Sequence, residues 1–502
     1  MSTTHAPPAL ADNTEAREGW RIALPILLLG MAALGWLFRT EVAAAVRTWE
    51  ASTAYNHCWL VLPVAAWLAW QRRDRFAVLR PQPQPLVALL GLAPALAWFA
   101  AERMGIMEGQ QFAALGLLYV LLLAVLGWRV CRAMAVPLAY LVFLVPFGAF
   151  TVPLLQSITA RLVDFGLNFT GISHYVDELI IEVPAGVFYV AEACAGLRFV
   201  IAALAFGALY AAVMFRSPWR RAAVMVIAVV VPILANGIRA LGLVVIGQYQ
   251  GSAAAIEADH VTYGWVFFSI VLLLMILAGL PFRQDGAPPR VTRPTPPGPS
   301  PRPVAVATAA ALAISLAAVG PAAARALDRA GAAPPQRSPL ALPDIPGCAS
   351  RPDGTLDCGG VTVSAAILAF HPSTNWRAVV AARREAAGGE EDEDVTFSVS
   401  MLGGAWRGRV AHARRGTPAS AWGVATWLDG HPAGDGLRTR ARQALRPFQD
   451  SPGRPVLAVI EVRPRDQADA TRDGSVLRNV LERHGPALAA AAAAASGGRG
   501  GS

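Results

Sequence analysis

Apolar runs long enough to cross a lipid bilayer occupy most of the first 320 residues of this chain. A membrane-spanning helix needs about 20 predominantly apolar residues. Runs of this kind begin near residues 22, 58, 86, 112, 133, 197, 222 and 261, and a ninth covers residues 304–320. Only 15% of the 502 residues are charged, whereas soluble domains carry about 25%. The sequence therefore predicts a polytopic membrane protein that works in the lipid bilayer.

Short basic loops predict how the spans are oriented. Cytoplasmic loops carry an excess of Lys and Arg, and such loops follow the second, fourth, sixth and eighth runs. They are residues 71–75, 128–132, 216–221 and 281–283. The loops at residues 39–57, 102–111, 151–196 and 248–260 are then expected outside the cytoplasm. The net charge of +9 is typical of these basic loops, and no nucleic-acid-binding signature predicts a nucleic-acid partner.

The overall prediction is an all-α polytopic membrane protein with about eight transmembrane helices, followed by a ninth span and a C-terminal soluble α+β domain. The longest outer loop, 151–196, contains a helix-like stretch and then a β-like stretch that predicts a short strand or hairpin. The segments in chain order are a cytoplasmic tail at 1–20, a membrane domain at 21–283, a Pro-rich linker at 284–303, the span at 304–320, the extracytoplasmic domain at 321–490 and a low-complexity tail at 491–502.

The five cysteines do not form a metal framework, because the sequence has no CxxC pair. The histidines of the C-terminal region, His371, His412 and His431, have no ligand spacing either, so we predict no metal and no cofactor. Cys348 and Cys358 lie in the predicted extracytoplasmic domain, where an oxidising compartment permits a disulfide. The sequence leaves open whether they form one.

Polar groups inside or beside a membrane span are costly and point to function. Cys194 lies where the sixth run begins, and the positive end of a helix dipole there favours a thiolate. The neighbouring Gly196 would let a substrate backbone approach closely. A buried structural cysteine is the alternative for Cys194.

Arg239 and His260 border the outer ends of the two following runs. Arg239 either binds an oxyanion or carboxylate or extends its side chain to the outer interface, and Asn236 lies one helical turn earlier on the same face. His260 either acts as a general base for a neighbouring thiol or lies at the interface with Asp259 as a helix N-cap. The loop charges put Cys194, Arg239 and His260 on one membrane face, and together they provide what acyl transfer needs.

Three ordered segments resemble the exosortase/archaeosortase family over roughly residues 20–280. VAEACAGLRFVIAALAFGALYA resembles the nucleophile motif, with Ala195 where the family usually has Ser. VPILANGIRALGLVVIG resembles the segment that carries the family's Arg, and DHVTYGWVFF resembles the segment that carries its His. The early segment WEASTAYNHCWLVLPVAAWLAWQRR is also similar, although Cys58 stands where Gly is expected.

The resemblance implies a bacterial multi-pass enzyme of the inner (plasma) membrane with its active site on the periplasmic face. It would cleave exported, membrane-anchored proteins at a C-terminal sorting signal, which consists of a Pro-Glu-Pro-like motif, a transmembrane helix and a basic cluster. Cys194 would be the nucleophile, His260 the base or acid, and Arg239 the group that stabilises the oxyanion. Supporting roles fall to residues beside these three: Glu192, Gly196, Arg198, Asn236 and Asp259.

Two other classes of function remain open at the level of the sequence. Proteins of this family are often encoded with exopolysaccharide genes, so exopolysaccharide-pathway proteins are expected partners. A polymerase or export component of such a pathway would also be polytopic and would need no cysteine at a helix start. A scaffold that only assembles a secretion complex is the third alternative. The fused C-terminal region resembles an exosortase-associated partner domain in its layout of one span followed by a soluble region.

Overall fold

The computed structural model describes residues 9–73, 79–251, 261–284, 302–331, 333–387, 395–401, 404–411, 420–449, 453–464 and 470–497. The chain divides into two compact units. The first comprises Met1–Gly91 and Gln111–Leu316, and the second comprises Leu92–Gln110 and Ala317–Ser502.

Helices account for most of the described chain. In chain order they are α1 (Ala9–Leu37), α2 (Arg39–Ala51), α3 (Cys58–Trp70), α4 (Leu92–Arg103), α5 (Met107–Ala133), α6 (Ala135–Tyr140), α7 (Val152–Leu167), α8 (Leu197–Met214), α9 (Pro218–Gln250), α10 (Val261–Gly279), α11 (Pro303–Ala330), α12 (Trp376–Ala386), α13 (Leu437–Leu445) and α14 (Ala470–Ser496). A 3₁₀ segment, Pro85–Gly91, leads into α4.

Six of the described segments are long and apolar enough to cross a membrane. They are Arg17–Leu37, Pro85–Arg103, Met107–Ala133, Glu192–Met214, Pro218–Gln250 and Pro303–Ala330. The chain is thus a multi-pass membrane protein, as predicted. The predicted count of about eight spans plus a ninth is not confirmed, because α3 has 13 residues and Val266–Phe282 is a shorter apolar helix.

The run that begins near residue 133 is not a continuous straight span. It breaks between two helical segments, 135–144 and 149–167, which are bent by 66° relative to each other. Pro146 at the break has no backbone N–H to continue a helix. Gly148 follows with a φ of 112°, which glycine tolerates. If the bent pair counts as one span, the described chain has up to seven.

The outer loop predicted at 151–196 has the expected helix and strands. After α7 come β1 (Tyr175–Asp177), β2 (Ile180–Val183) and β3 (Gly186–Tyr189), which form a three-stranded antiparallel sheet. Ile181 and Val183 alternate with exposed residues along β2 and pack on Val163 of α7 and Val244 of α9. This apolar contact fixes the small sheet against the two helices.

Small residues allow the helices of the first unit to approach one another closely. A Cβ added at Gly237 would lie 2.6 Å from Leu162, and one added at Gly166 would lie 2.4 Å from Leu241, so α7 and α9 interlock through these two glycines. A Cβ at Gly207 of α8 would lie 2.7 Å from Ala228 of α9. Such contacts between small residues are a common basis for helix association in membranes.

The second unit contains a nine-stranded antiparallel sheet and confirms the predicted α+β character of the C-terminal region. Its strands are β4 (Gln336–Leu340), β5 (Ala349–Ser350), β6 (Leu356–Asp357), β7 (Val361–Ala369), β8 (Val395–Met401), β9 (Gly404–Ala411), β10 (Ser420–Leu428), β11 (His431–Pro432) and β12 (Val456–Pro464). The order is β5-β6-β7-β12-β10-β9-β8, with β4 paired to β7 and β11 to β10.

Helix α14 covers this sheet and corrects the predicted boundary at residue 490. The alanine-rich segment was expected to be a low-complexity tail from 491, but α14 continues to Ser496, and Ala492 is fully buried in the core. Gly423 of β10 explains the fit, because a Cβ there would touch Leu477 and Leu481 of the helix.

Cys348 and Cys358 are joined by a disulfide with a Cα–Cα distance of 4.1 Å.

A buried arginine joins the ends of α4 and α11 to the sheet within the second unit. Arg103 is 2% exposed. It donates through Nε to Glu102 (2.6 Å), through Nη2 to Asp328 (2.6 Å) and through Nη1 to the Ser373 carbonyl (3.2 Å). Asn375 donates to the same Glu102 carboxylate at 2.9 Å. These hydrogen bonds satisfy a charge that would otherwise be costly to bury.

Candidate active site

The candidate nucleophile lies in a short turn between the small sheet and α8. After β3 the chain forms a single 3₁₀ turn, Glu192–Ala195, and Gly196 then precedes α8. Cys194 is a partly buried cysteine in this turn, and its N–H donates to the Ala191 carbonyl at 2.9 Å. The prediction that Cys194 opens the span is thus refined, because the cysteine lies one short turn before the helix.

Two buried side chains hold the segment that carries Cys194. Asn236 of α9 is 2% exposed, and its Nδ2 donates to the Cys194 carbonyl at 2.8 Å and to Thr159 Oγ1 at 3.1 Å. Gln156 of α7 donates from Nε2 to the Val190 carbonyl at 2.8 Å. The backbone from Val190 to Cys194 is therefore hydrogen-bonded to α7 at one end and to α9 at the other.

Gly196 lies in close contact with Asn236. Its φ is 77°, a left-handed conformation that favours glycine. A Cβ built there would lie 2.6 Å from Cγ and 2.8 Å from Nδ2 of Asn236. The space beside Gly196 that was expected to admit substrate is therefore occupied by Asn236, and the glycine permits that hydrogen-bonded side chain to pack against the turn.

Two arginines meet around one aromatic ring. The Cζ atoms of Arg198 and Arg239 lie 4.8 Å and 5.7 Å from the ring centroid of Phe199. Arg239 is 2% exposed and lies three residues after Asn236, on the same face of α9. Arg198 was expected only as a supporting residue, but its guanidinium lies closer to the Phe199 ring than that of Arg239, the predicted oxyanion binder. The two guanidinium groups form a compact cationic region one helical turn from the hydrogen bond to Cys194.

Helix α10 lies beside these arginines. A Cβ at Gly264 would be 3.2 Å from Arg198 Nη2 and 3.9 Å from Arg239 Nε, and Phe268 packs on Phe199 with ring centroids 4.9 Å apart. His260 and Asp259 lie outside the described residues, so their predicted roles stay predictions. Gly264 is one helical turn after His260 in the sequence. Glu192 is exposed at the start of the 3₁₀ turn.

The interpretation of the sequence missed Gln156, Thr159 and Phe199. Gln156 and Thr159 are three residues apart in α7 and therefore share one face of it, and both are buried in an otherwise apolar surface. Buried polar residues on an apolar helix face indicate a hydrogen-bonding partner, which was the available signal. Phe199 gave no signal, since an aromatic residue in an apolar span is ordinary.

These features define a multi-pass membrane protein with a cysteine turn hydrogen-bonded to a helix that carries a buried arginine. Residues 49–277 match the family model described as transmembrane exosortase. The match supports the exosortase family for this membrane region, which is the family that its motifs predicted. No curated protein and no solved structure matches the chain.

Proposed function

We propose that this chain is a cysteine peptidase or transpeptidase that cleaves C-terminal sorting signals of exported, membrane-anchored proteins. The observation that carries the proposal is the hydrogen bond from Asn236 to the Cys194 carbonyl. It connects the turn of the candidate nucleophile to the helix that carries Arg239, one turn away. The buried amide on the Cys194 backbone and the two guanidinium groups beside Phe199 support a catalytic rather than a structural cysteine.

In the proposed reaction the Cys194 thiol loses its proton to His260 and attacks the carbonyl carbon of the scissile peptide bond. Arg239 and Arg198 stabilise the negative charge that develops on the carbonyl oxygen. When the C–N bond breaks, His260 returns the proton to the leaving amine, and the substrate remains as a thioester on Cys194. An acceptor nucleophile or water then takes the acyl group and restores the thiol.

The family resemblance suggests that the signal contains a Pro-Glu-Pro-like motif, an apolar helix and a basic cluster. The basic loops support a site on the outer face of a bacterial plasma membrane. The disulfide of the second unit supports an oxidising, extracytoplasmic compartment for that unit. A role in exopolysaccharide or surface assembly is the proposed context for the acceptor.

The test uses a reporter protein that ends in such a signal and is expressed with the full chain in cells. The wild-type chain should shorten the reporter, whereas Cys194→Ala should leave it uncut. Cys131→Ala is the matched control, because it removes a cysteine of similar partial exposure and should process normally. Mass spectrometry of the trapped chain should find the reporter fragment as a thioester on Cys194.

Processing that continues in Cys194→Ala would refute the peptidase proposal. It would leave an exopolysaccharide polymerase or export component as the candidate function, since that class does not need the thiol. In that case deletion of the chain should lower surface polysaccharide, and the Cys194→Ala variant should restore it.

A further inference from the structure

A long apolar groove opens on the first unit between α9 and α10, with α8 along its floor. Its volume is about 610 Å³. Its lining runs along α9 from Arg220 to Ile238 and along α10 from Val271 to Gly279, and it ends at Phe282 in the turn after α10. At 1.5 Å per residue the α9 stretch is about 27 Å long, close to the roughly 30 Å thickness of the hydrocarbon core.

Two contacts hold α10 against α8 beside the groove. Tyr210 Oη of α8 donates to the Ile276 carbonyl at 3.0 Å, and the Phe199–Phe268 ring contact joins the same two helices. Across the groove, Ile227 and Leu234 of α9 are 45% and 48% exposed, and Leu274 of α10 is 59% exposed. The apolar side chains of α9 and α10 therefore face a gap between the two helices.

One end of this gap is basic. Arg220 lies in the lining, and its Nη1 donates to the Phe282 carbonyl at 2.6 Å, which holds the guanidinium across the end of the groove. A guanidinium has five N–H donors, so it can bind this carbonyl and an anion together. Arg221 donates to the carbonyl of Phe215, another lining residue, at 2.8 Å. Arg283 directly follows Phe282 in the sequence.

We infer that the groove binds an anionic phospholipid, with its phosphate on Arg220 and one acyl chain between α9 and α10. The stretch from Arg220 to Val231 is about 16 Å long, which matches one leaflet, half of the roughly 30 Å core. Basic pockets between transmembrane helices are recognised sites for anionic headgroups. The groove thus has the polarity of a phospholipid, with charge at one end and apolar side chains beyond it.

A transmembrane helix of another protein fits this groove less well. Cytoplasmic flanks of transmembrane helices usually carry Lys and Arg, and those flanks would meet Arg220 and its basic neighbours on the side predicted to be cytoplasmic. Repulsion between like charges opposes such docking, whereas a phosphate is attracted. The lipid is therefore the occupant that both the charge and the length of the groove favour.

A bound chain would fill the gap between the helix that carries Arg239 and the helix that follows His260. An effect of lipid on catalysis rests on the proposed function, but lipid binding does not. The two are separated by measuring lipid retention on both the wild-type chain and the Cys194→Ala variant. Retention should be equal in the two, whether or not the chain proves to be a peptidase.

The test is native mass spectrometry of the full chain with added phosphatidylglycerol or phosphatidylcholine of identical acyl chains. The wild-type chain should retain phosphatidylglycerol preferentially. Arg220→Gln should weaken this retention about fivefold, the effect of one arginine contact near an anionic surface. Arg132→Gln is the control, because Arg132 is also an exposed arginine on a predicted basic loop but lies away from the groove.

A second pair of variants tests the acyl chain. Ala222 and Ala223 are adjacent exposed alanines of α9, but only Ala223 lines the groove. Ala223→Trp should therefore block retention, and Ala222→Trp should not. Equal retention of the two lipids by the wild-type chain would overturn the inference even if every variant failed to fold. Equal losses of lipid retention in Arg220→Gln and Arg132→Gln, or in Ala223→Trp and Ala222→Trp, would overturn it too. A photo-crosslinker at Leu274 that captures a protein instead of lipid would have the same consequence.

Discussion

Replacing Gly196 by alanine should disrupt the cysteine turn through a single methyl group. The new Cβ would lie 2.6 Å, 2.8 Å and 2.9 Å from Cγ, Nδ2 and Cβ of Asn236. Carbon atoms do not pack this closely, so one side must move. Asn236 is 2% exposed and has little space to retreat, and any retreat lengthens its bond to the Cys194 carbonyl.

Two contributions set the size of the effect. An alanine in the left-handed conformation of Gly196, whose φ is 77°, costs about 1–2 kcal/mol. Loss of the Asn236–Cys194 hydrogen bond adds about 1 kcal/mol. The aligned turn should therefore lose about 2–3 kcal/mol relative to misaligned conformations. Because about 1.4 kcal/mol corresponds to a tenfold change in rate, processing should slow about 30- to 150-fold.

The assay compares initial rates of reporter cleavage by Gly196→Ala and by a control with the same backbone strain. Gly171 has a φ of 72°, and a Cβ there would meet nothing within 4 Å. Gly171→Ala should therefore process the reporter within about threefold of wild type, since its strain of about 1 kcal/mol is remote from the turn. Adding Asn236→Ala to Gly196→Ala removes the contacts with Cγ and Nδ2, leaves only the 2.9 Å approach to Cβ, and should produce little further loss.

Equal rates for Gly196→Ala and Gly171→Ala would refute the reasoning, because the contact with Asn236 is what distinguishes them. A second readout is the rate at which a small alkylating reagent modifies Cys194. It should change in Gly196→Ala even where no substrate is present. An unchanged alkylation rate together with slow processing would mean that Gly196 acts on substrate instead.

Three further outcomes are expected. Intact-mass measurements after alkylation without reductant should find Cys348 and Cys358 unmodified, and Cys348→Ser should destabilise the second unit by roughly 2.5 kcal/mol on chain-entropy grounds, seen as faster proteolysis. A reporter enzyme fused after residue 330 should be active only outside the cytoplasm. Burial alone would raise the pKa of Asp435, but the hydrogen bond and charge of Arg383 outweigh it and hold that pKa below its ordinary value. The resulting stabilisation is present above about pH 4 and is lost as pH falls through the lowered pKa. Asp435→Asn should therefore reduce the stability of the second unit at pH 7 and weaken its acid dependence, as followed by hydrogen exchange.

Much of the membrane architecture could be predicted because hydropathy is a local property of the sequence. Six of the predicted runs correspond to candidate spans, and the helix and strands of the outer loop follow from local periodicity. The bend in the run near residue 133 was not predicted, because the apolar character of the run continues through Pro146 and Gly148. Composition measures whether a segment can enter lipid, whereas these two residues decide whether its backbone can continue as one helix.

The network around Cys194 was only partly predictable. The order of the motifs identified Cys194, Asn236 and Arg239, but the hydrogen bond from Asn236 to Thr159 joins positions 77 residues apart. Such a pairing depends on how α7 and α9 pack. The helical continuation of α14 through residues 491–496 was not predicted for a similar reason. Alanine runs are typical of low complexity, yet their small side chains also permit close contact with a sheet, and only the partner strand decides between the two.

The buried Arg103 connects the C-terminal domain to the end of α4. Its partners Glu102 and Asp328 belong to the ends of α4 and α11, and its third partner is the carbonyl of Ser373 in the soluble part of the same unit. A charge buried this deeply requires all of its partners, so the domain is attached at the membrane side where α4 ends. The basic loop at 71–75 precedes α4 and the basic loop at 128–132 ends α5, so the positive-inside rule assigns the end of α4 to the outer side. The contacts of Arg103 thus join the domain to the end of α4 that the loop charges predict to be extracytoplasmic, and the disulfide between Cys348 and Cys358 is the chemistry expected of that compartment.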